Sequence, residues 1–574
     1  MVSRRSWLDP VLSIISRAHA HQQSRRFLSE ARCAARAQER ALRAILARNA
    51  DSDYGREHGF SRIRGYRDFT MAVPVQTYED LRPCVERVMA GDTSALFGPG
   101  QRVLMFAMTS GSTDKPKYVP VTPMFLAGYR RGWNVFGLKA LLDHPDALSG
   151  TILQVASPMD EHRTDHGIPC GSISGLLAAS QKRLVRKYYA NPTQTSRISN
   201  PEARYYTVMR LAVQQNVTWM ITASPATQIK LATAVAGNAD RLIRDVHDGT
   251  LTAPGHVPDT LQRGLVEHLQ PDCETAKRLE LLASQHGELL PKHYWRLALL
   301  ANWTGGTIGL HLGRFPHYFG KTPVRDIGLL ATEGRVSIPL EDGTAAGVLD
   351  VGASFFEFVD ASDAGSDPSS IHLCHELTPG NEYRVIMTTT AGFYRYDIGD
   401  HVRVRGYLGE APIVEFLHRG ARVSSITGEK LTEWQVVEAF RRASQRLGCA
   451  LTLFALAPQW SEQPFYRLHV NGKLATSRRL AEQLDLELAK INLEYRSKRS
   501  SGRLGPIQVN CLSRGTLARV DAIRRSRRGG ANEQYKPRYL YSHPGEDAFL
   551  SSSGEIGESS PSVSHRPVTG PRVD

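Results

Sequence analysis

Nowhere in this chain is there an apolar run near the about eighteen residues that a membrane-crossing helix requires. A membrane is therefore not an expected partner. Cysteine is scarce and scattered: residues 33, 84, 170, 273, 374, 449 and 511 include no C-x-x-C pair. That spacing suits neither a disulfide framework nor a zinc site, and it suggests a reducing compartment. Signs of export are weak. Ser3-Arg4-Arg5-Ser6-Trp7-Leu8 has a faint twin-arginine look, but only residues 11–15 are apolar behind it, between Asp9-Pro10 and Arg17. A signal core needs about seven or more such residues. The expected location is cytoplasmic. Internal repeats are absent, which argues against solenoids and propellers. So is the G-x-x-x-x-G-K-[ST] spacing of a P-loop.

What is present is ordinary globular material. The 574 residues are 41% hydrophobic and 22% charged, enough for a large core and, by length alone, roughly three or four domains. Lys plus Arg exceed Asp plus Glu by 14. The excess is uneven: residues 491–540 hold twelve basic and three acidic side chains, densest at Arg524-Arg525-Ser526-Arg527-Arg528. Nucleic-acid binding would ask for interleaved aromatics or an RNA-binding signature, and neither accompanies the run. It reads instead as an arginine-rich flexible loop or a positive wall facing a polyphosphate.

Periodicity supplies a coarse architecture. Residues 1–20 read as an N-terminal extension. Residues 21–49 predict an arginine-rich helix with an apolar stripe through Phe27, Ala31, Leu42 and Leu46. Residues 122–142 predict a second helix, bearing Tyr129, Arg130, Arg131 and Trp133. Residues 151–156, 218–223, 297–303 and 326–330 read as strands that run into small-residue loops. Such a pattern argues for an α/β fold with ligand at the strand ends. Residues 167–175 look too glycine-rich for regular structure. From residue 347 the texture turns to β, suiting a barrel-like or antiparallel section. Gly420-Ala421 reads as a hinge. Beyond it a helix with the capping box Thr432-x-x-Gln435, strands near 451–456, 466–470 and 507–511, and a helix over 476–495 make a small α+β domain. The expected division is 21–419 and 420–542, with a Ser/Gly/Pro-rich disordered tail over 543–574.

Four short motifs carry chemistry. The apolar run 103–108 empties into Thr109-Ser110-Gly111-Ser112-Thr113-Asp114-Lys115-Pro116-Lys117. Such a loop can fold its N–H groups around an anion, with hydroxyl and ammonium donors added; a surface turn is the competing reading. Ala331-Thr332-Glu333-Gly334, then Tyr394-Arg395-Tyr396-Asp397-Ile398-Gly399-Asp400, then Gly428-Glu429-Lys430 follow in order. Singly these read as a turn glutamate, an Asx turn and a surface lysine. As an ordered set they resemble the adenylate-forming enzymes. More closely they resemble the Gretchen Hagen family, the auxin-responsive acyl-acid amido synthetases of plants and their bacterial relatives, with this chain a bacterial-type member. Val73-Pro74-Val75, Tyr78-Glu79, Phe356-Glu357-Phe358, Ala391-Gly392-Phe393 and the late Gln534-Tyr535-Lys536-Pro537-Arg538 add to the likeness. It spans residues 25 to 540 or so.

The resemblance implies an α/β, firefly-luciferase-like adenylate-forming fold with a large N-terminal domain and a small mobile C-terminal one. It implies two half-reactions: a carboxylic acid and ATP give acyl-adenylate and pyrophosphate, then an amine, usually an amino acid, takes the acyl group and AMP leaves. ATP and Mg2+ are the implied cofactors, and a monomer the expected state. Thr109, Ser110, Gly111, Ser112, Thr113, Lys117, Thr332, Glu333, Tyr396 and Asp400 would bind ATP. Asp400 would accept from the ribose hydroxyls, and Glu333 would be the hard-oxygen ligand of the metal. Lys430, Lys536 and Glu333 would form the catalytic set. Tyr129, Arg130, Trp133, Thr304 and Gly305 would line the acyl pocket, with a solvated helix face as the alternative for Arg130 and Arg131. Asp114 departs from the general pattern, which often has glycine there. Two rival functions stand beside this one: an acyl-CoA or carrier-protein ligase on the same scaffold, and a non-catalytic basic nucleic-acid-binding protein.

Overall fold

The computed structural model describes residues 9–109, 117–181, 183–361, 371–420, 423–427, 429–449, 453–471, 474–527 and 537–551. The amphipathic N-terminal stripe forms two helices rather than one, Asp9–Arg32 and Ala34–Arg48, because Cys33 leaves helical geometry at φ −131°. The first helix runs straight through residue 20, so the segment expected as a separate extension continues into the domain. Gln38 ties the second helix to the β section: its Nε2 donates to the carbonyls of Val351 and Ser354, each at 2.7 Å, and its Oε1 accepts from Phe356 N at 2.7 Å.

Among the described residues, three sheets of four or more strands build the large domain. The expected α/β sheet is four-stranded and parallel, in the order Thr151–Gln154, Val217–Ile221, Leu299–Ala301, Val324–Arg325. Ser224 caps the helix Pro225–Ala236 as its Ser-Pro start predicts. The span 326–330 is not a strand: after Val324–Arg325 the chain turns at Gly328, φ +90°, where a Cβ would meet the Ser337 carbonyl at 2.3 Å. A second sheet sets Lys117–Val121 beside Met105–Thr109, then Pro169–Gly171 and His162–Arg163. The glycine-rich stretch 167–175 is thus regular, a strand followed by the helix Ile173–Ala179. Two of its three glycines serve close approach: a Cβ on Gly171 would lie 2.5 Å from the Met159 carbonyl carbon and one on Gly175 2.4 Å from the Ser157 carbonyl, while Gly167 takes φ +75° in open space. The third sheet is seven-stranded and antiparallel, from the edge Ser337–Ile338 through Ala411–Arg419, Tyr396–Leu408 and Glu382–Thr388 to the edge Ile371–Leu373.

The small domain is built on the strands Phe454–Gln459, Phe465–Asn471 and Gln508–Leu512, packed by the helices Glu433–Arg446 and Leu474–Ile491. Thr432 and Gln435 make the predicted capping box. The helix expected over 476–495 breaks at Asn492, whose side chain caps the helix Leu493–Ser500 and also donates to the Glu429 carbonyl at 3.0 Å. Two features depart from the sequence reading. Residues 516–527 form a helix, not a loop, with the Arg524 guanidinium lying over the rings of Tyr541 and Phe549 at 5.5 and 5.2 Å. The segment 543–551 is packed rather than disordered: Leu550 is buried, and buried Asp547 accepts from His469 Nε2 at 2.8 Å and Gln459 Nε2 at 2.9 Å. Among the described residues no helix is long and apolar enough to cross a membrane.

Candidate active site

Thr109 and Lys117 form the last pair of an antiparallel hairpin. The connection itself, with Ser110, Gly111, Ser112, Thr113 and Asp114, lies outside the described residues, as do Gly428 and Lys536. The hairpin aims Lys117 across the fold. Its Nζ sits 3.4 Å from Tyr396 Oη and 5.4 Å from the centre of the Tyr78 ring. Two residues expected to bind the nucleotide, far apart in sequence, are therefore brought together.

Tyr396 owes its place to its neighbour. Arg395 adopts φ +46°, a backbone state uncommon for a residue with a side chain. The surroundings enforce it. The Arg395 carbonyl accepts from Gln76 N at 2.9 Å, its N–H donates to Thr388 Oγ1 at 2.9 Å, and Nη1 donates to the Val73 carbonyl at 2.8 Å. Nε and Nη2 grip buried Glu357 at 3.0 and 2.8 Å, and Tyr66 Oη donates to the same carboxylate at 2.8 Å. Val73-Pro74-Val75 and Phe356-Glu357-Phe358 are hence the two anchors of the Tyr396 turn. Nothing in either segment of the sequence shows that Arg395 joins them.

The Thr332-Glu333 motif is the two-residue turn of a small hairpin, Leu330–Ala331 paired with Gly334–Arg335. Tyr129 clamps it from the helix Pro123–Asp143, donating Oη–H to the Ala331 carbonyl at 2.6 Å. Glu333 is 2% exposed, yet its Oε1 has no hydrogen-bond partner among the described residues. A buried carboxylate oxygen without a donor is costly and asks for a cation or donor from elsewhere. Arg335, from the same hairpin, lies 5.0 Å from the Trp133 ring centre. Burial pulls its guanidinium down to about 10.

At the end of the parallel sheet, Thr304 donates through N and Oγ1 to Asp326 Oδ2 at 2.6 and 2.8 Å. Burial outweighs these bonds and pushes the Asp326 carboxyl up to about 6. Gly305 follows in the loop that opens the turn Gly306–Arg314. The two arginines of the Pro123–Asp143 helix have structural partners. Arg131 spans Glu30, at 2.8 Å, and buried Asp350, so it is not on a solvated face. Exposed Arg130 donates to the Ser180 carbonyl at 2.7 Å, capping the helix Ile173–Ala179.

Asp400 lies in the strand Tyr396–Leu408 opposite Arg419, directly before the expected hinge, and is buried. Gly420 N donates back to the Gly399 carbonyl at 2.7 Å. Lys430 is carried by the small domain. It too has φ +46°, while its side chain is exposed. Buried Glu429 fixes the loop beneath it, accepting from Ile426 N, Thr427 N and Thr427 Oγ1 at 2.7–2.9 Å and from Tyr466 Oη at 2.5 Å. Strain held by a rigid surround and presenting one lysine is a common mark of function. Between the domains lies a cleft of about 1140 Å3, lined from the large domain by Thr304, Gly305, Arg403 and Arg405 and from the small one by Trp434, Arg441 and Arg442. Of its walls the sequence pointed only to Thr304 and Gly305; the arginines meet only after the domains dock.

The solved structure of AtGH3.15 acyl acid amido synthetase in complex with 2,4-DB matches with a TM-score of 0.78 at 19% identity, over 93% of this chain and 95% of that one. The two share a fold. Residues 23–324 match the GH3 family N-terminal domain, 347–419 the GH3 family central domain and 434–544 the GH3 family C-terminal domain. The chain belongs to the GH3 family. Among its relatives, jasmonoyl–L-amino acid synthetase JAR6 of Nicotiana attenuata is 24% identical over 518 residues, 85% of this chain and 88% of that protein. Indole-3-acetic acid-amido synthetase GH3.6 of Arabidopsis thaliana is 25% identical over 550 residues, 87% of this chain and 88% of that protein.

Proposed function

We propose that the chain is an ATP-dependent acyl-acid amido synthetase that joins a carboxylic acid to an amino acid, releasing AMP and pyrophosphate. The carrying observation is the buried, unpartnered Glu333 Oε1 at the tip of a hairpin that Tyr129 fixes. Family membership and the amido synthetases among its relatives support the reaction class.

A single buried carboxylate oxygen fits a divalent cation that completes its shell with phosphate oxygens and water. When bound, Mg2+ would offset negative charge on the departing pyrophosphate. Glu333 would hold it. Lys117 adds a positive charge for the phosphates, steadied by Tyr396 and the Tyr78 ring. Asp400 accepts from the ribose, placing the α-phosphorus for attack by the acid's carboxylate oxygen. The Trp133 and Tyr129 side chains and the Thr304–Gly305 loop hold the acyl group. Gly420 is the hinge about which the small domain brings Lys430, or Lys536, to the reacting groups. The enzyme works as a cytoplasmic monomer.

The test is a pyrophosphate-release screen over carboxylic acids, followed by mass spectrometry of products formed with pooled amino acids. Release of pyrophosphate with an acid, then amide product and AMP with amino acids, is expected. A thioester from coenzyme A in place of amide would overturn the assignment.

A further inference from the structure

We propose that Arg442, together with Arg405 of the large domain, which lines the same cleft, receives the carboxylate of the acceptor amino acid in the cleft between the domains. The inference rests on the amido-synthetase reading and names the second substrate's site.

The cleft touches one end of the active site only. Its lining includes Thr304, Gly305 and Gly306, the loop assigned to the acyl group, and none of Tyr129, Trp133, Lys117, Glu333, Tyr396 or Asp400. A molecule entering here comes to the Thr304–Gly306 loop without meeting the residues assigned to the phosphates. That is the path required of the amine in the second half-reaction. It is the wrong path for ATP or pyrophosphate.

The charge of the walls says what the entering molecule carries. Five arginines line the cleft against three glutamates. On the small domain one carboxylate serves two guanidinium groups: Glu438 accepts from Arg441 Nε and Nη2, and from Arg442 Nε, all at 2.8 Å. Both amino groups of Arg442 are left without a hydrogen-bond partner among the described residues. From the large domain Arg405 has its Nε on Glu415. Guanidinium groups with spare N–H donors match a carboxylate in geometry as well as charge. The one anionic group shared by all α-amino acids is that carboxylate, so a site of this kind would accept varied side chains.

The site is built from both domains: the small-domain helix Glu433–Arg446 packs on the turn Gly306–Arg314 and on the strand Ala411–Arg419. Arg403 of the large domain lies over the Trp434 ring of the small one at 4.9 Å. Moving the small domain therefore opens or closes the acceptor site, which links its formation to the step after adenylation.

The test compares wild type with Arg442→Gln, Arg442→Lys and Arg405→Gln, using the acid selected by the pyrophosphate screen. Three readouts are taken: acid-dependent pyrophosphate exchange, amide formation with a pool of the proteinogenic amino acids, and trapping of the acyl group by hydroxylamine, which has no carboxylate. Arg442→Gln should raise the KM for the amino-acid pool about tenfold or more while exchange and hydroxylamine trapping keep their wild-type rates. Arg442→Lys should restore part of the loss, and Arg405→Gln should act in the same direction. An unchanged KM for the pool with exchange intact overturns the proposal alone. A raised KM for pyrophosphate instead would make this a pyrophosphate site and overturn it as well. Failure of wild type to exchange pyrophosphate with any acid would overturn the amido-synthetase reading and this site with it.

Discussion

Replacing Glu333 with glutamine should make the ligand-free protein slightly more stable while disabling it. The carboxylate is 2% exposed and its Oε1 lacks a donor. Leaving a buried polar group unsatisfied costs about 1–3 kcal/mol, and more when it is charged. Glutamine removes the charge but keeps a polar atom in the same place, so only part of the cost is recovered, about 1 kcal/mol. For a domain of about 400 residues the unfolding entropy is roughly 0.8 kcal/mol/K, so Tm should rise by about 1–2 °C. Ligand reverses the order. ATP with Mg2+ at about a hundred times its Kd stabilises the wild type by about 2.7 kcal/mol, some 3 °C on the same scale. The variant, having lost the metal's anchor, should gain much less. Acid-dependent pyrophosphate exchange should fall by about 10²–10³, the scale for removing one preorganised electrostatic partner of developing charge. Scanning calorimetry with and without ATP and Mg2+, beside the exchange assay, reads all three quantities. A variant less stable than wild type without ligand, or one that still exchanges at the wild-type rate, would refute the argument from the orphaned oxygen.

Glu357→Gln leaves the Arg395 guanidinium buried without its counter-charge and should cost about 3–5 kcal/mol, read as a lower urea midpoint. The double variant Arg395→Met with Glu357→Leu should recover most of that stability but not nucleotide affinity, because Tyr396 loses its strained neighbour. Stability should also fall on acidification below about pH 6.5. Burial holds His469 and His401 below the ordinary histidine value, so as pH drops the unfolded chain takes up protons that the folded one refuses, at up to about 1.4 kcal/mol per pH unit for each. Asp326 has the opposite sign: its carboxyl, raised to about 6, binds a proton in the folded state first and should offset part of the loss between about pH 4 and 6. Urea midpoints across pH 4–8 check both. Asp547→Ala strips His469 and Gln459 of their acceptor and should destabilise the small domain by about 1–3 kcal/mol, seen by hydrogen exchange as faster opening of the strands near 454–471 with the large domain unchanged.

The four motifs were legible because their chemistry demands particular residue types in a particular order, and that order survives in a linear chain. Secondary structure was legible where one period dominates, as along the helix Ala34–Arg48, and at the capping box of Thr432. Glycine misled. At Gly171 and Gly175 it marks places where two backbones touch, which a sequence cannot distinguish from a loose turn. Long-range anchors were also invisible. Nothing near Arg395 announces that its partners are Val73 and Glu357, and nothing near His469 points to Asp547, 78 residues later. The arginines of the interdomain cleft are dispersed through the chain and acquire meaning only when two domains face each other.

The closing strap of the small domain sets an order of events during synthesis. Leu456 exchanges backbone hydrogen bonds with Tyr539 and Tyr541, at 2.8 and 2.9 Å, and His469 waits for Asp547. Domains tend to fold as they leave the ribosome, N-terminal first. Here the central strand region of the small domain emerges long before the residues that complete it, so the large domain can be finished while its partner is still open. The cleft that joins them is consequently the last part of the molecule to come into being.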